Sequence, residues 1–388
     1  MEATPARSWG GFGPFRPAWI EVDLARLRRN YKAIHQNKPD SVKIISVVKD
    51  DAYGHGALHV AQTALAAGAS FLALVTLHEA MQLRDHGLRA RMLLLGARQD
   101  AELPWCVAHN LTVCVHDERT AEELGRVAAR MGKRAPVHVK INTGMNRFGV
   151  SWSDALSLIE SVCANKSLEL EGVMTHFSMS DELDKSFALL QLERFNKVLS
   201  GMAAKGMAVK YRHLCNSGGF LDLPQAHLEM VRIGLLQHGV YPSKVCRRID
   251  GLEPTMTVKA KVAAIQYVAK DDFVGYGMKY QAPSPRRIAV IPVGYGDGYP
   301  RLRNQGSVLI GGRRAPLVGG VAMDAFMVDT TDLPQVNQWD EVVLMGKQGA
   351  EEISVHELAQ WKNSVSYDVL AGWRTRLPRL HLNGEPPA

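Results

Sequence analysis

The sequence predicts a (β/α)8 barrel followed by a mainly-β domain, and three observations carry that prediction. From about residue 40 to 235, short branched apolar runs alternate with longer helical patterns. The short runs are apolar throughout, as expected of strands buried on both faces in a parallel sheet. After about residue 250 the texture changes to short strands punctuated by Gly, Pro and Asp. Eight strands with helices between them suit a closed barrel of about 200 residues. An open doubly wound sheet is the alternative.

Taken in order, residues 1–16 read as a flexible arm, 17–251 as the barrel and 252–388 as the β domain. Residues 19–23 (WIEVD) form a strand able to pair with the second domain, and Asp23 is placed to cap the helix that follows. The barrel strands fall at 42–48, 71–75, 91–95, 111–115, 136–141, 168–175, 209–215 and 228–232. Helices fill the gaps, for example at 118–131 and 184–204. From Ala52 to His78 the chain has no Asp, Glu, Lys or Arg. The Tyr53-Gly54-His55-Gly56 segment and the break at Ala67–Ser70 make this a helix and a buried strand, not a membrane span. In the second domain one short helix, about Val355 to Lys362, interrupts the strands.

Composition narrows the function. The chain has 388 residues, enough for two domains, and 46% hydrophobic and 22% charged residues are ordinary globular usage. The net charge of +7 is spread along the chain without a basic tract, so it admits anionic ligands but does not indicate nucleic acid. Five widely spaced cysteines without a CxxC argue against a disulfide framework or a zinc ribbon. With no signal-like apolar segment near the start, the expected location is cytoplasmic, without membrane or metal partners.

In a (β/α)8 barrel the chemistry collects at the C-terminal ends of the strands. There the sequence places Lys49, Lys140 with Asn142–Arg147, His176, Asn216–Gly219 and Arg232–Gly234. Each alone has an ordinary structural reading: a capped strand, a core histidine, a turn, an ion pair. Together they suggest more. A lysine directly after Ile-Ile-Ser-Val-Val starts inside the barrel, where desolvation lowers its pKa and makes it a nucleophile for an aldehyde. Glycines after strands seven and eight sit where this fold binds phosphate. A barrel lysine with a phosphate cradle points to pyridoxal 5′-phosphate (PLP). Two glycine-bracketed, tyrosine-rich loops, Val274–Tyr280 and Val293–Arg301, read as further parts of a site.

The segment Val47–Gly56 closely resembles the PLP-attachment motif of alanine racemases. Lys140–Gly149, Thr175-His176-Phe177, Asn216-Ser217, Arg232-Ile233-Gly234, Gly275-Tyr276-Gly277, Gly294–Tyr299, Met323-Asp324 and Ser366-Tyr367 follow in that family's order. The resemblance covers about Pro17 to Arg379. It implies that Lys49 holds PLP as a Schiff base. Tyr53, Ser217, Gly234, Leu235 and Tyr367 would bind its phosphate, with His176 beside the ring and Arg232 at the pyridine nitrogen. Arg147 and the backbone of Met323 would hold the substrate carboxylate, and Lys140 matches a lysine that is often carbamylated. Lys49 and Tyr276 would be the two bases that interconvert L- and D-alanine, a reaction that supplies D-alanine for peptidoglycan.

The resemblance also implies a homodimer whose sites are built from two chains. Departures from the common pattern at Asp50-Asp51, Asn142, Gly320, Ala322 and His238 remove no catalytic group and bear on pocket size, hence on alanine against serine or larger substrates. A PLP-dependent decarboxylase of the same architecture would set a carboxylate where Arg232 stands. A PLP-binding homeostasis protein would be a barrel alone, without the domain that carries Tyr276.

Overall fold

The computed structural model of the protein describes residues 16–384, so the arm expected over 1–16 lies outside the described residues except for Arg16. Contacts divide the chain into two units, one over Ala25–Glu253 and one formed by the N-terminal segment to Leu24 together with Pro254 onward.

The first unit contains eight parallel strands: Lys43–Val47, Phe71–Leu74, Met92–Leu94, Thr112–Val115, Ala135–Asn142, Leu168–Met174, Tyr211–His213 and Met230–Ile233. The eighth pairs with the first, and the rest follow in chain order to the seventh. Arg232 N–H donates to Cys215 O at 3.0 Å, bringing the eighth strand against the end of the seventh and nearly closing the barrel. All eight lie within one or two residues of the sequence-predicted runs, and Phe71–Leu74, Met92–Leu94 and Thr112–Val115 are buried throughout. The uncharged stretch resolves into helix Ala57–Ala66 and the second strand, and no described helix is long and apolar enough to cross a membrane.

Local chemistry starts several of the intervening helices. Thr76 and Glu79 form a reciprocal capping box on helix Leu77–Asp85. Asp117 accepts Thr120 N–H at the head of Glu118–Arg130, a strongly amphipathic helix with Ala121, Leu124 and Ala128 on its buried face.

The second unit is built on a ten-stranded, largely antiparallel sheet. Strand Ala18–Asp23 belongs to it, pairing antiparallel with Met256–Lys261 (Ile20 opposite Val258) and parallel with Arg379–Leu382. Arg16 is tied down by Asp297, whose carboxylate accepts at 2.5 and 2.8 Å. A separate two-stranded hairpin, Phe273–Val274 with Tyr280–Gln281, presents the turn containing Tyr276. The helix Val355–Lys362 forms where the sequence places it, with Ser354 as its cap. A second helix, Ser366–Ala371, was not expected from the pattern; it is too short to show a helical period.

Candidate active site

Lys49 stands two residues beyond the first barrel strand and is half-buried. The next four residues, Asp50 to Tyr53, all have φ between 50° and 55°, a left-handed turn made without glycine. Such residues cost about 1–2 kcal/mol each, so the turn needs anchors. Glu79 supplies one: its carboxylate accepts from the N–H groups of Asp50 (2.6 Å), Val75 (3.0 Å) and Thr76 (2.9 Å). His55 supplies another, with Nδ1 2.9 Å from Tyr53 O and 3.0 Å from Ala52 O. Asp51 accepts Ala57 N–H at 2.8 Å and ties the turn to the next helix. Burial, aided by the Arg147 charge, lowers the Lys49 pKa, against the opposing pull of Glu79 and Asp50.

Tyr53, carried on that turn, meets the loop after strand eight. A Cβ built on Gly234 would lie 2.5 Å from Tyr53 Oη, so a side chain there would push the hydroxyl out of place. Ser217 Oγ accepts Leu236 N–H at 3.3 Å, and Asn216 Oδ1 accepts Gly219 N–H at 2.9 Å. The structure therefore gathers Tyr53, Ser217, Gly234 and the buried Leu235 at one end of the barrel.

Arg232 is 3% exposed. Nη1 donates to His213 Nδ1 at 2.8 Å; Nη2 is shared among Thr175 O (2.9 Å), His176 Nδ1 (2.9 Å) and Leu214 O (3.0 Å). The Nε–H has no acceptor among the described residues. His176 is pushed well below its ordinary pKa by burial and then by four cations: Arg232, Arg147, Lys140 and Lys49. It is therefore neutral at ordinary pH. Lys140 is 6% exposed, and its ammonium lies 5.4 Å from the centre of the Phe148 ring. Burial, then Arg232, Arg147 and Lys49, lower it to about 8, with only Cys114 opposing. Arg147 itself is exposed. The barrel end thus concentrates positive charge around one neutral imidazole. That field, a nucleophilic amine and a glycine-floored notch together suit an anionic carbonyl compound.

In the second unit, Tyr276 is 83% exposed on a turn in which Gly275, Gly277 and Met278 all have positive φ. Met323 is also exposed; its carbonyl accepts Gly296 N–H at 2.9 Å, which leaves its own N–H as the group a carboxylate can use. Tyr367 lies on the unexpected helix and is half-buried.

Sequence reasoning missed the residues that support these groups. Glu79 was legible in the Thr76-x-x-Glu79 capping pattern. Gln237 was not: it accepts from Tyr31 (2.6 Å) and Ser46 (2.7 Å) and donates to Val47 O (2.9 Å), fastening the Lys49 strand to the Gly234 loop. His138, His213 and Glu171 sit inside strands and showed no motif.

Known proteins resemble this chain over both of its units. The alanine racemase N-terminal domain family matches residues 22–242, and the alanine racemase C-terminal domain family matches residues 255–381. The chain is 40% identical to an alanine racemase of Carboxydothermus hydrogenoformans, covering 95% of this chain and 100% of the relative. It superposes on the alanine racemase of Clostridium difficile 630 with a TM-score of 0.91 at 31% identity, covering 96% and 98% of the two chains. A histidine racemase of Leuconostoc mesenteroides subsp. sake is also similar, with a TM-score of 0.87 at 27% identity over 96% of this chain and 99% of that one. Both units and nearly the whole length are matched, and the chain belongs to the alanine racemase family.

Proposed function

We propose that this protein interconverts L- and D-alanine using PLP, with Lys49 and Tyr276 as the two bases. The observation that carries the reading is the joint placement of Lys49, the Gly234 notch and Arg232 at one barrel end. These residues fit PLP: Lys49 would hold its aldehyde, and Tyr53, Ser217, Gly234, Leu235 and Tyr367 its phosphate. The free Nε–H of Arg232 would face its ring nitrogen. When bound, PLP supplies a conjugated ring that draws electrons from the substrate Cα and acidifies its proton.

The chain's own residues do the rest. Arg147 and the Met323 N–H hold the substrate carboxylate and fix which face of Cα each base meets. Lys49 serves one face and Tyr276 the other, so a proton removed from one side is replaced from the opposite side. A tyrosine base must work against a reference pKa of about 10. His176, neutral and linked to Arg232, is the group through which positive charge steadies the phenolate. A guanidinium does not give up its proton, so Arg232 would leave the ring nitrogen unprotonated and temper the electron sink. Tyr276 is supplied by a second chain in a two-fold dimer, which fits an exposed tyrosine on a hairpin tip. Lys140 is carbamylated, its added carboxylate orienting Arg147.

Alanine is favoured over larger substrates by the similarity to alanine racemases, although the histidine racemase shows that this fold admits others. The product would serve peptidoglycan synthesis in the cytoplasm. The test is polarimetry of L-alanine with purified holoenzyme, with chiral chromatography of a panel including serine and histidine. Rotation decaying to zero with D-alanine accumulating supports the reading; rotation unchanged with alanine while another amino acid racemises would replace the substrate.

A further inference from the structure

Behind Arg232 the barrel interior contains a line of buried polar groups, His213, His138 and Glu171, that the proposed reaction does not touch. From Arg232 Nη1 it passes to His213 Nδ1 (2.8 Å), from His213 Nε2 to His138 Nδ1 (2.7 Å), and from His138 Nε2 to Glu171 Oε2 (3.5 Å). Glu171 Oε1 is closed off by an ion pair with Arg91, and Thr112 Oγ1 donates to Oε2, the oxygen that faces His138, at 3.4 Å. His213 and His138 are fully buried and Glu171 is 2% exposed.

Space for this line is built into the sheet. A Cβ on Gly172 would come within 2.7 Å of the His138 ring. The pairing of the fifth and sixth strands also shifts register between Val137 and His138. Barrel interiors are ordinarily filled by branched aliphatic side chains, and burying a carboxylate with two imidazoles is costly.

The direction of the line is fixed from the Arg232 end. Arg232 can only donate, so His213 Nδ1 carries no proton and its hydrogen is on Nε2. That hydrogen makes His138 Nδ1 the acceptor and puts the His138 hydrogen on Nε2, facing Glu171. A carboxylate can only accept, so the Glu171 charge at the far end favours the same arrangement. The last link is longer than a full hydrogen bond and acts chiefly through charge. Every dipole along the line points from guanidinium to carboxylate, which strengthens each acceptor in turn.

We propose that Glu171 is a positioning residue for the reaction, acting on Arg232 through His138 and His213. The line holds Nη1 toward the barrel interior, and with Nη2 spent on three acceptors it is the Nε–H that would be left for the ring nitrogen. This rests on the assignment of Arg232 to that nitrogen.

The test uses holoenzyme labelled with 15N-histidine. In the wild type, long-range 1H–15N spectra should show His138 and His213 as neutral Nε2–H tautomers. A Nδ1–H tautomer or an imidazolium at either residue would overturn the proposal, and this measurement needs no variant to fold. In Glu171→Gln, kcat should fall about tenfold, because the carboxylate charge that orients the line is removed. KM for alanine should change little, and the bound cofactor's visible band should shift. A folded Glu171→Gln enzyme with the wild-type band and wild-type kcat would reduce Glu171 to a structural role. No cofactor band in the wild type would instead remove the functional reading itself.

Discussion

Arg232 Nη2 lies 2.9 Å from His176 Nδ1, and because a guanidinium only donates, His176 carries its hydrogen on Nε2. One buried cation thus fixes the tautomer of the imidazole beside it, and burial, with that cation's help, keeps the imidazole uncharged. The same residue is assigned to the cofactor's ring nitrogen, so its substitution should affect both.

Arg232→Glu is expected to protonate the ring nitrogen and lower the racemisation rate. It should also add absorption at longer wavelength than the resting cofactor band. Stopped-flow spectra with alanine check this; an unchanged rate and spectrum would remove Arg232 from the electronic argument. Burial brings Arg232 down to about 10, still charged at neutral pH, so its own charge should stay constant through the neutral range.

Lys49 should be the residue that carries PLP. Borohydride reduction of the holoenzyme followed by peptide mapping should find the pyridoxyl group in the peptide containing Lys49, and in no other. Its depressed pKa gives it more free amine at neutral pH than a surface lysine has. An adduct on Lys140 would reassign the site.

Lys140 should form a carbamate. With a pKa of about 8, roughly a tenth of its amine is neutral at pH 7, the form that combines with carbon dioxide. Supplying 13C-bicarbonate should give a carbamate resonance in the wild type that Lys140→Met lacks. Small carboxylates should restore part of the activity of Lys140→Ala. A wild-type spectrum without that resonance would leave Lys140 a bare amine.

Stability should fall on acidification. His213 and His238 are fully buried and held well below the usual histidine pKa, chiefly by desolvation. Below about pH 6.5 the unfolded chain takes up a proton at each while the native chain does not. Each therefore removes about 1.4 kcal/mol per pH unit. Urea denaturation at a series of pH values should show the midpoint dropping as pH falls from about 7 to 5.5. A constant midpoint would mean that both histidines titrate normally in the folded state.

The parts of this protein visible in its sequence are those with local periodicity or a continuous motif. The barrel strands read as apolar runs because both faces of each are buried, and Val47–Gly56 is an uninterrupted segment. The left-handed turn over Asp50–Tyr53 was not visible. Four non-glycine residues with positive φ run against their own propensity and exist because Glu79 and His55 hold them. Glu171, His138 and His213 stand apart in the chain and converge only when strands five, six and seven pair. Tyr367 was named from a motif, yet its helix was not, because six residues carry no measurable period.

Lys49 of one chain should work with Tyr276 of another. Lys49→Ala and Tyr276→Phe should each be nearly inactive alone. Unfolded and refolded together in equal amounts, half the dimers should be mixed. Each mixed dimer has one site carrying both substitutions and one carrying neither. Activity should return to roughly a quarter of that of wild type treated in the same way. If both residues of a site come from one chain, no site is whole and the mixture will stay as inactive as its parts.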